Sequence, residues 1–69
     1  MGDSYRVLHF CDGDLVEQTR HDSREGAEGA FALGLDHATR EAAENDVDWR
    51  VELWGEDSLL SVFDSADRP

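Results

Sequence analysis

The sequence predicts an α+β domain: a four-stranded, mainly antiparallel sheet in ββαββ order with one long helix packed on one face. Three patterns lead to it. Asp12-Gly13 lies between two runs of strand-forming residues and reads as a two-residue hairpin turn, since a type I′ turn needs positive φ at both central positions. Ala27, Phe31, Leu35, Ala38 and Ala42 recur at steps of four or three, the period of one helix face. Trp49-Arg50-Val51-Glu52-Leu53-Trp54 alternates with period two, as a strand does.

The elements follow in chain order. Tyr5 to Cys11 is the first strand, and the Asp-Gly turn sets Phe10 opposite Leu15, His9 opposite Val16 and Leu8 opposite Glu17. The second strand runs from Leu15 to about His21. Its outer half, Glu17-Gln18-Thr19-Arg20, is polar on both faces, as expected of an edge strand protected by charge. Asp22-Ser23-Arg24-Glu25 then opens a helix expected over Ser23 to Glu44, with Asp22 capping the free amides and Glu25 reaching back as its capping-box partner. Asp36 with Arg40, and Arg40 with Glu44, are spaced for surface ion pairs. A row of small residues, Gly26, Ala30, Gly34 and Ala38, repeats at four-residue spacing beside the apolar stripe. Glycine in a helix costs about 1 kcal/mol relative to alanine, so Gly26, Gly29 and Gly34 need a reason. Two are available: close approach of the helix to its own sheet, or contact with another helix across a subunit interface.

Asn45-Asp46 ends the helix. The third strand then shows Trp49, Val51 and Leu53 on one face and Arg50, Glu52 and Trp54 on the other. After a turn at Gly55-Glu56-Asp57-Ser58, the run Leu59 to Phe63 returns as the fourth strand. The expected register pairs Leu53 with Leu60, Val51 with Val62, Trp54 with Leu59 and Arg50 with Phe63. That places Trp49, Val51, Leu53, Leu60 and Val62 beneath the helix and leaves Trp54, Leu59 and Phe63 on the uncovered side. Large apolar side chains gathered on an open sheet face mark a partner surface. The candidate interface is therefore Trp54, Leu59, Phe63 and Arg50, with Gly26 and Ala30 from the helix row. Homodimerisation is the expected use of that face, ahead of a small-molecule groove.

Charge narrows the class further. Seventeen Asp and Glu face six basic residues in 69 positions, a net charge of -11, and every basic residue is arginine. Such a chain repels itself in dilute buffer, whereas at molar salt the Debye length falls to about 3 Å. Carboxylates spread along every segment therefore point to halophilic solvent adaptation. The alternative is an acidic face that occupies a basic site on a partner or mimics a nucleic-acid backbone. Direct nucleic-acid binding is not expected, because no basic cluster exists. A hydrophobic fraction of 39% separates the chain from acidic disordered sequences. No apolar run approaches the roughly 18 residues of a membrane span, and Met1 to Arg6 lacks the features of a signal peptide. One cysteine, Cys11, agrees with a reducing, cytoplasmic setting. One domain over 1–69 is expected, with 1–4 and 65–69 frayed. A domain this small buries only about 60% of its unfolded surface, which makes partner surface useful for stability.

The hairpin, the helix opening His21-Asp22-Ser23-Arg24-Glu25-Gly26-Ala27, and the strand from Val47 to Asp57 running into an Asp-containing hairpin together resemble small uncharacterised prokaryotic domains of strand-strand-helix-strand-strand order. The acidic, lysine-free composition is similar to members from halophilic archaea. The resemblance spans nearly the whole chain and implies a fold without any catalytic residue. The first hairpin feeding an acid-capped helix is also similar to antitoxin domains of the partial ribonuclease H type, although the glycine-rich strand pattern of those domains is missing.

No catalytic, cofactor-binding or metal-binding residue is expected. His9 and Cys11 share one strand face, yet no CxxC, HxxxH or HExxH spacing accompanies them or His21 and His37. Cys11 adjoins Asp12, whose charge disfavours a thiolate. Gly13, Gly26, Gly29 and Gly34 form no phosphate loop. The functional expectation is a homodimeric protein-binding module without catalysis. The alternative is an antitoxin-like or inhibitory protein acting through its acidic surface.

Overall fold

A computed structural model describes residues 4–65. The chain forms β1 (Tyr5–Cys11), β2 (Asp14–His21), α1 (Arg24–Asn45), β3 (Trp49–Trp54) and β4 (Leu59–Asp64). The four strands make one antiparallel sheet in the order β2-β1-β3-β4, an α+β fold in ββαββ order. Among the described residues, no helix is long and apolar enough to cross a membrane.

The first turn is of the expected kind, with φ of 52° at Asp12 and 90° at Gly13. Asp12 does more than turn the chain. Its amide donates to the Asp48 carbonyl oxygen at 2.8 Å, and its Oδ1 accepts from the Asp48 amide at 3.0 Å. The segment entering β3 is thereby fastened to the tip of the first hairpin, which places β3 beside β1.

The helix begins one residue later than its sequence suggests. Ser23, not Asp22, is the N-cap, and its Oγ accepts from the Gly26 amide at 3.1 Å. Glu25 then stands one position too early to complete a capping box. At the other end Asp46 adopts the left-handed conformation, φ 54°, and stops the helix. Of the two expected ion pairs, Arg40 with Asp36 forms, at 2.6 Å.

Val7, Val51 and Leu53 from the sheet and Ala27 and Ala38 from the helix form the buried core. Tyr5, Ala30, Phe31, Leu35, Trp49 and Phe63 pack around it. Small helix residues let the backbone lie close to the sheet. Gly34 is buried, and a Cβ built there would stand 2.6 Å from Cε1 of His9 and 3.3 Å from Val51. Close approach to the chain's own sheet therefore accounts for Gly34 and Ala38.

Both hairpins depart from the expected register at one inserted residue. In the first, Phe10 faces Leu15 as expected, but His9 faces Glu17 and Leu8 faces Gln18, so Val16 is a bulge. In the second, Trp54 faces Leu59 as expected, but Leu53 faces Ser61 and Val51 faces Phe63, so Leu60 is a bulge. Gly55 makes room for it. A Cβ at Gly55 would touch the Leu60 side chain at 3.4 Å, and the Gly55 amide closes the loop onto the Ser58 carbonyl at 2.8 Å. One extra residue reverses every later side chain. Phe63 therefore turns to the helix side and packs on the core, while Val62 turns away and is 49% exposed. Leu60, also expected beneath the helix, is 37% exposed.

Ser65, expected within a frayed tail, is buried. Its Oγ accepts from the Trp49 amide and its own amide donates to the Trp49 carbonyl oxygen, each at 2.9 Å. Residues 1–3 and 66–69 lie outside the described residues.

Candidate functional site

The helix covers one side of the sheet, and the strand pairing fixes what the other side presents. Directly opposed residues share a face, so the uncovered side is a grid of three rows read from β2 to β4. The first row is Arg20, Arg6, Trp54, Leu59; the second is Gln18, Leu8, Glu52, Val62; the third is Leu15, Phe10, Arg50, Asp64. Leu8, Phe10 and Trp54 in the middle are half-buried, while Leu15, Leu59 and Val62 at the margins are 50%, 41% and 49% exposed.

Glu52 occupies the centre of this face and is only 8% exposed. A carboxylate so placed needs partners, and its neighbours on the same strand supply them. Trp54 Nε1 donates to Oε1 at 2.8 Å, and Arg50 Nε lies 2.7 Å from Oε2. The Arg6 guanidinium carbon is 5.9 Å from the centroid of the Trp54 ring, within cation-π range. Arg6, Trp54, Glu52 and Arg50 thus form one ordered polar and aromatic array among the apolar Leu8, Phe10, Leu15, Leu59 and Val62, with Arg20, Gln18 and Asp64 on the outer strands. A depression of about 370 Å³ bordered by Phe10, Asp48, Arg50 and Asp64 lies at the hairpin end.

The charge of this face differs from that of the chain. Among the described residues, three arginines, Arg6, Arg20 and Arg50, project from it, against two carboxylates, Glu52 and Asp64. The two helix arginines are instead engaged with helix carboxylates, Arg24 with Glu28 at 3.1 Å and Arg40 with Asp36.

Of the residues singled out in the sequence, Trp54, Leu59 and Arg50 stand together on the uncovered face. Phe63 does not join them, because the Leu60 bulge rotates it to the core. Ala30 packs against the core, and Gly26 is exposed at the first helical turn with its amide given to Ser23, so the helix row does not act as one surface. The uncovered face also includes Arg6, Leu8, Phe10, Leu15 and Val62. Alternation along β1 gives the first three, and only the Leu60 bulge delivers Val62.

On the helix side, a cleft of about 320 Å³ opens between α1 and β2, bordered by His9, Val16, Glu17, Leu33 and His37. Burial holds the His9 imidazole below the ordinary histidine pKa; Glu17 opposes that shift and His37 adds to it. His37 packs edge-on against Trp49, ring centroids 5.3 Å apart, and the buried Trp49 Nε1 has no hydrogen-bond partner among the described residues. His21 shares a 2.9 Å hydrogen bond with Thr19. Among the described residues, no group of three or more His, Cys, Asp or Glu is placed to hold a metal ion. Partial burial, then the carboxylates of Asp12, Asp14 and Glu41, push the Cys11 thiol up, the reverse of nucleophile activation.

The chain matches no protein-family model, no curated protein and no solved structure.

Proposed function

We propose that the chain is a non-catalytic, homodimeric binding module adapted to concentrated salt, in which two copies meet through the uncovered faces of their sheets. The distribution of charge carries this reading. A surface made to face brine in a halophilic protein is acidic, and here the excess of carboxylates is withheld from one broad face that instead displays arginine, aromatic and aliphatic side chains. A second copy is the occupant that such a face suits. Like copies at net charge -11 repel each other over most of their surface, and they approach best where that charge is absent. The free Cys11 thiol supports a reducing compartment, and we place the protein in the cytoplasm.

Amide NMR spectra of the protein in about 2 M KCl, recorded on dilution, test the reading. Shifts concentrated at Arg6, Leu8, Phe10, Gln18 and Val62 and absent from the outer helix are expected. Shifts confined to the acidic outer helix, or capture of one basic protein by a chain that stays monomeric, contradict it and favour the inhibitory role of the acidic surface.

A further inference from the structure

We infer that Glu52 decides how two copies face each other, selecting a two-fold axis that runs along the strands between β1 and β3. The inference rests on the proposed pairing of uncovered faces. Sheets packed face to face keep their strand directions within about 30° of each other and lie about 10 Å apart. A two-fold axis relating them must lie in the plane of contact, parallel or perpendicular to the strands.

The perpendicular axis passes through the middle row of the grid and keeps each strand opposite its own copy. Gln18 then opposes Gln18, Leu8 opposes Leu8, and Glu52 opposes Glu52. Glu52 is already 8% exposed in the single chain, so a second sheet removes its remaining water and sets two carboxylates against each other. Like charges that share a dry site disfavour the shared ionised state strongly.

The parallel axis exchanges β1 with β3 and β2 with β4. Leu8 then opposes the second copy's Glu52, and Gln18 opposes its Val62. Arg6 opposes its Trp54, and Phe10 opposes its Arg50. No arginine meets an arginine and no carboxylate meets a carboxylate. Each copy sets two cationic groups against aromatic rings, as it also does about the perpendicular axis, where Arg6 opposes Phe10 and Arg50 opposes Trp54, so the opposition of Glu52 is what separates the two arrangements. Glu52 keeps Trp54 Nε1 and Arg50 as partners within its own chain, so covering it with Leu8 strands neither oxygen.

Chemical cross-linking in molar salt tests the arrangement. In a Cys11→Ser background, one preparation carries Gln18→Cys and a second Val62→Cys, and a bismaleimide of about 8 Å span is added to each alone and to their mixture. Opposed positions are about 10 Å apart, whereas β2 and β4 positions related by the parallel axis are separated by about 14 Å laterally as well, or about 17 Å in all. Cross-linked dimer is expected in the mixture, at least 10-fold above that in Gln18→Cys alone. Adding Glu52→Gln to Gln18→Cys, which removes the like-charge opposition, is expected to raise cross-linking of that preparation. Equal or greater cross-linking of Gln18→Cys alone, with Glu52 intact, overturns the parallel axis while leaving face pairing in place. A sedimenting dimer with no cross-link in any preparation overturns both. Where Glu52→Gln does not fold, the first three preparations decide.

Discussion

Gly34 and His9 meet so closely that a methyl group on Gly34 would stand 2.6 Å from Cε1 of His9. The imidazole lies on β1 beneath the helix and must shift to admit a methyl group, with Val51 also 3.3 Å away, so Gly34→Ala is expected to destabilise the fold by about 1–3 kcal/mol through overpacking, despite alanine's higher helix propensity. Gly29 is the control. Nothing lies within 4 Å of a Cβ built there, and Gly29→Ala is expected to stabilise by about 0.5–1 kcal/mol. Denaturant unfolding in high salt measures both, and equal effects of the two substitutions would contradict close helix approach.

The same contact makes stability depend on pH. His9 is held below its ordinary pKa mainly by burial, with Glu17 opposing and His37 reinforcing the shift. The folded state therefore binds the His9 proton less readily than the unfolded chain. The stability linked to neutral His9 is complete above the ordinary histidine value of 6.5 and is lost as pH falls from there through the lower folded-state value. Thermal melts of wild type and His9→Gln between about pH 8 and pH 5 should diverge in slope, wild type losing more toward acid. Parallel curves would remove His9 from the acid response.

Asp12 ties the first hairpin to the entry of β3 through its carboxylate while holding a positive φ. Asp12→Ala removes the acceptor for the Asp48 amide and places alanine in the left-handed region, with an expected loss of about 1–3 kcal/mol. Asp12→Asn keeps an acceptor and tolerates that conformation, so most of the stability should be retained. Unfolding midpoints of the pair check this, and equal losses would mean that the side-chain hydrogen bond contributes nothing.

The register of the second hairpin separates core from contact surface. Phe63→Ser should destabilise the fold through lost packing, whereas Val62→Ser, at a half-exposed position on the uncovered face, should leave the melting temperature nearly unchanged and weaken association. The opposite pattern, with Val62 essential to folding and Phe63 not, would restore the register without a bulge.

Much of this fold is legible in the residues. Period-two alternation gives Trp49 to Trp54 as a strand, the Asp12-Gly13 turn has the required positive φ values, and the helix ends at Asn45. The bulges are not legible, because Val16 and Leu60 are strand-forming apolar residues that satisfy the alternation locally. Only the bare Gly55 beside Leu60 hints at room for an extra residue. Without that bulge Phe63 is assigned to the wrong face, and the site gains a core residue and loses Val62. The cap is ambiguous for a similar reason, since Asp22 and Ser23 are both good caps and one residue of offset decides between them. The arginine-rich character of the uncovered face emerges only when β1 is known to lie between β2 and β3, which brings Arg20, Arg6 and Trp54 into one row.

Salt tests the meaning of the acidity. Melting temperatures followed by circular dichroism should rise from about 0.05 to about 2 M KCl as carboxylate repulsion is screened. An unchanged melting temperature across that range would assign the carboxylates to a dedicated binding face.

Sedimentation equilibrium of the wild-type chain at high micromolar concentration in about 2 M KCl tests the central claim most directly. The expected result is a homodimer that Leu8→Ser and Val62→Ser shift toward monomer without loss of the folded spectrum. A wild-type chain that sediments as a monomer throughout would contradict pairing through the uncovered sheet face.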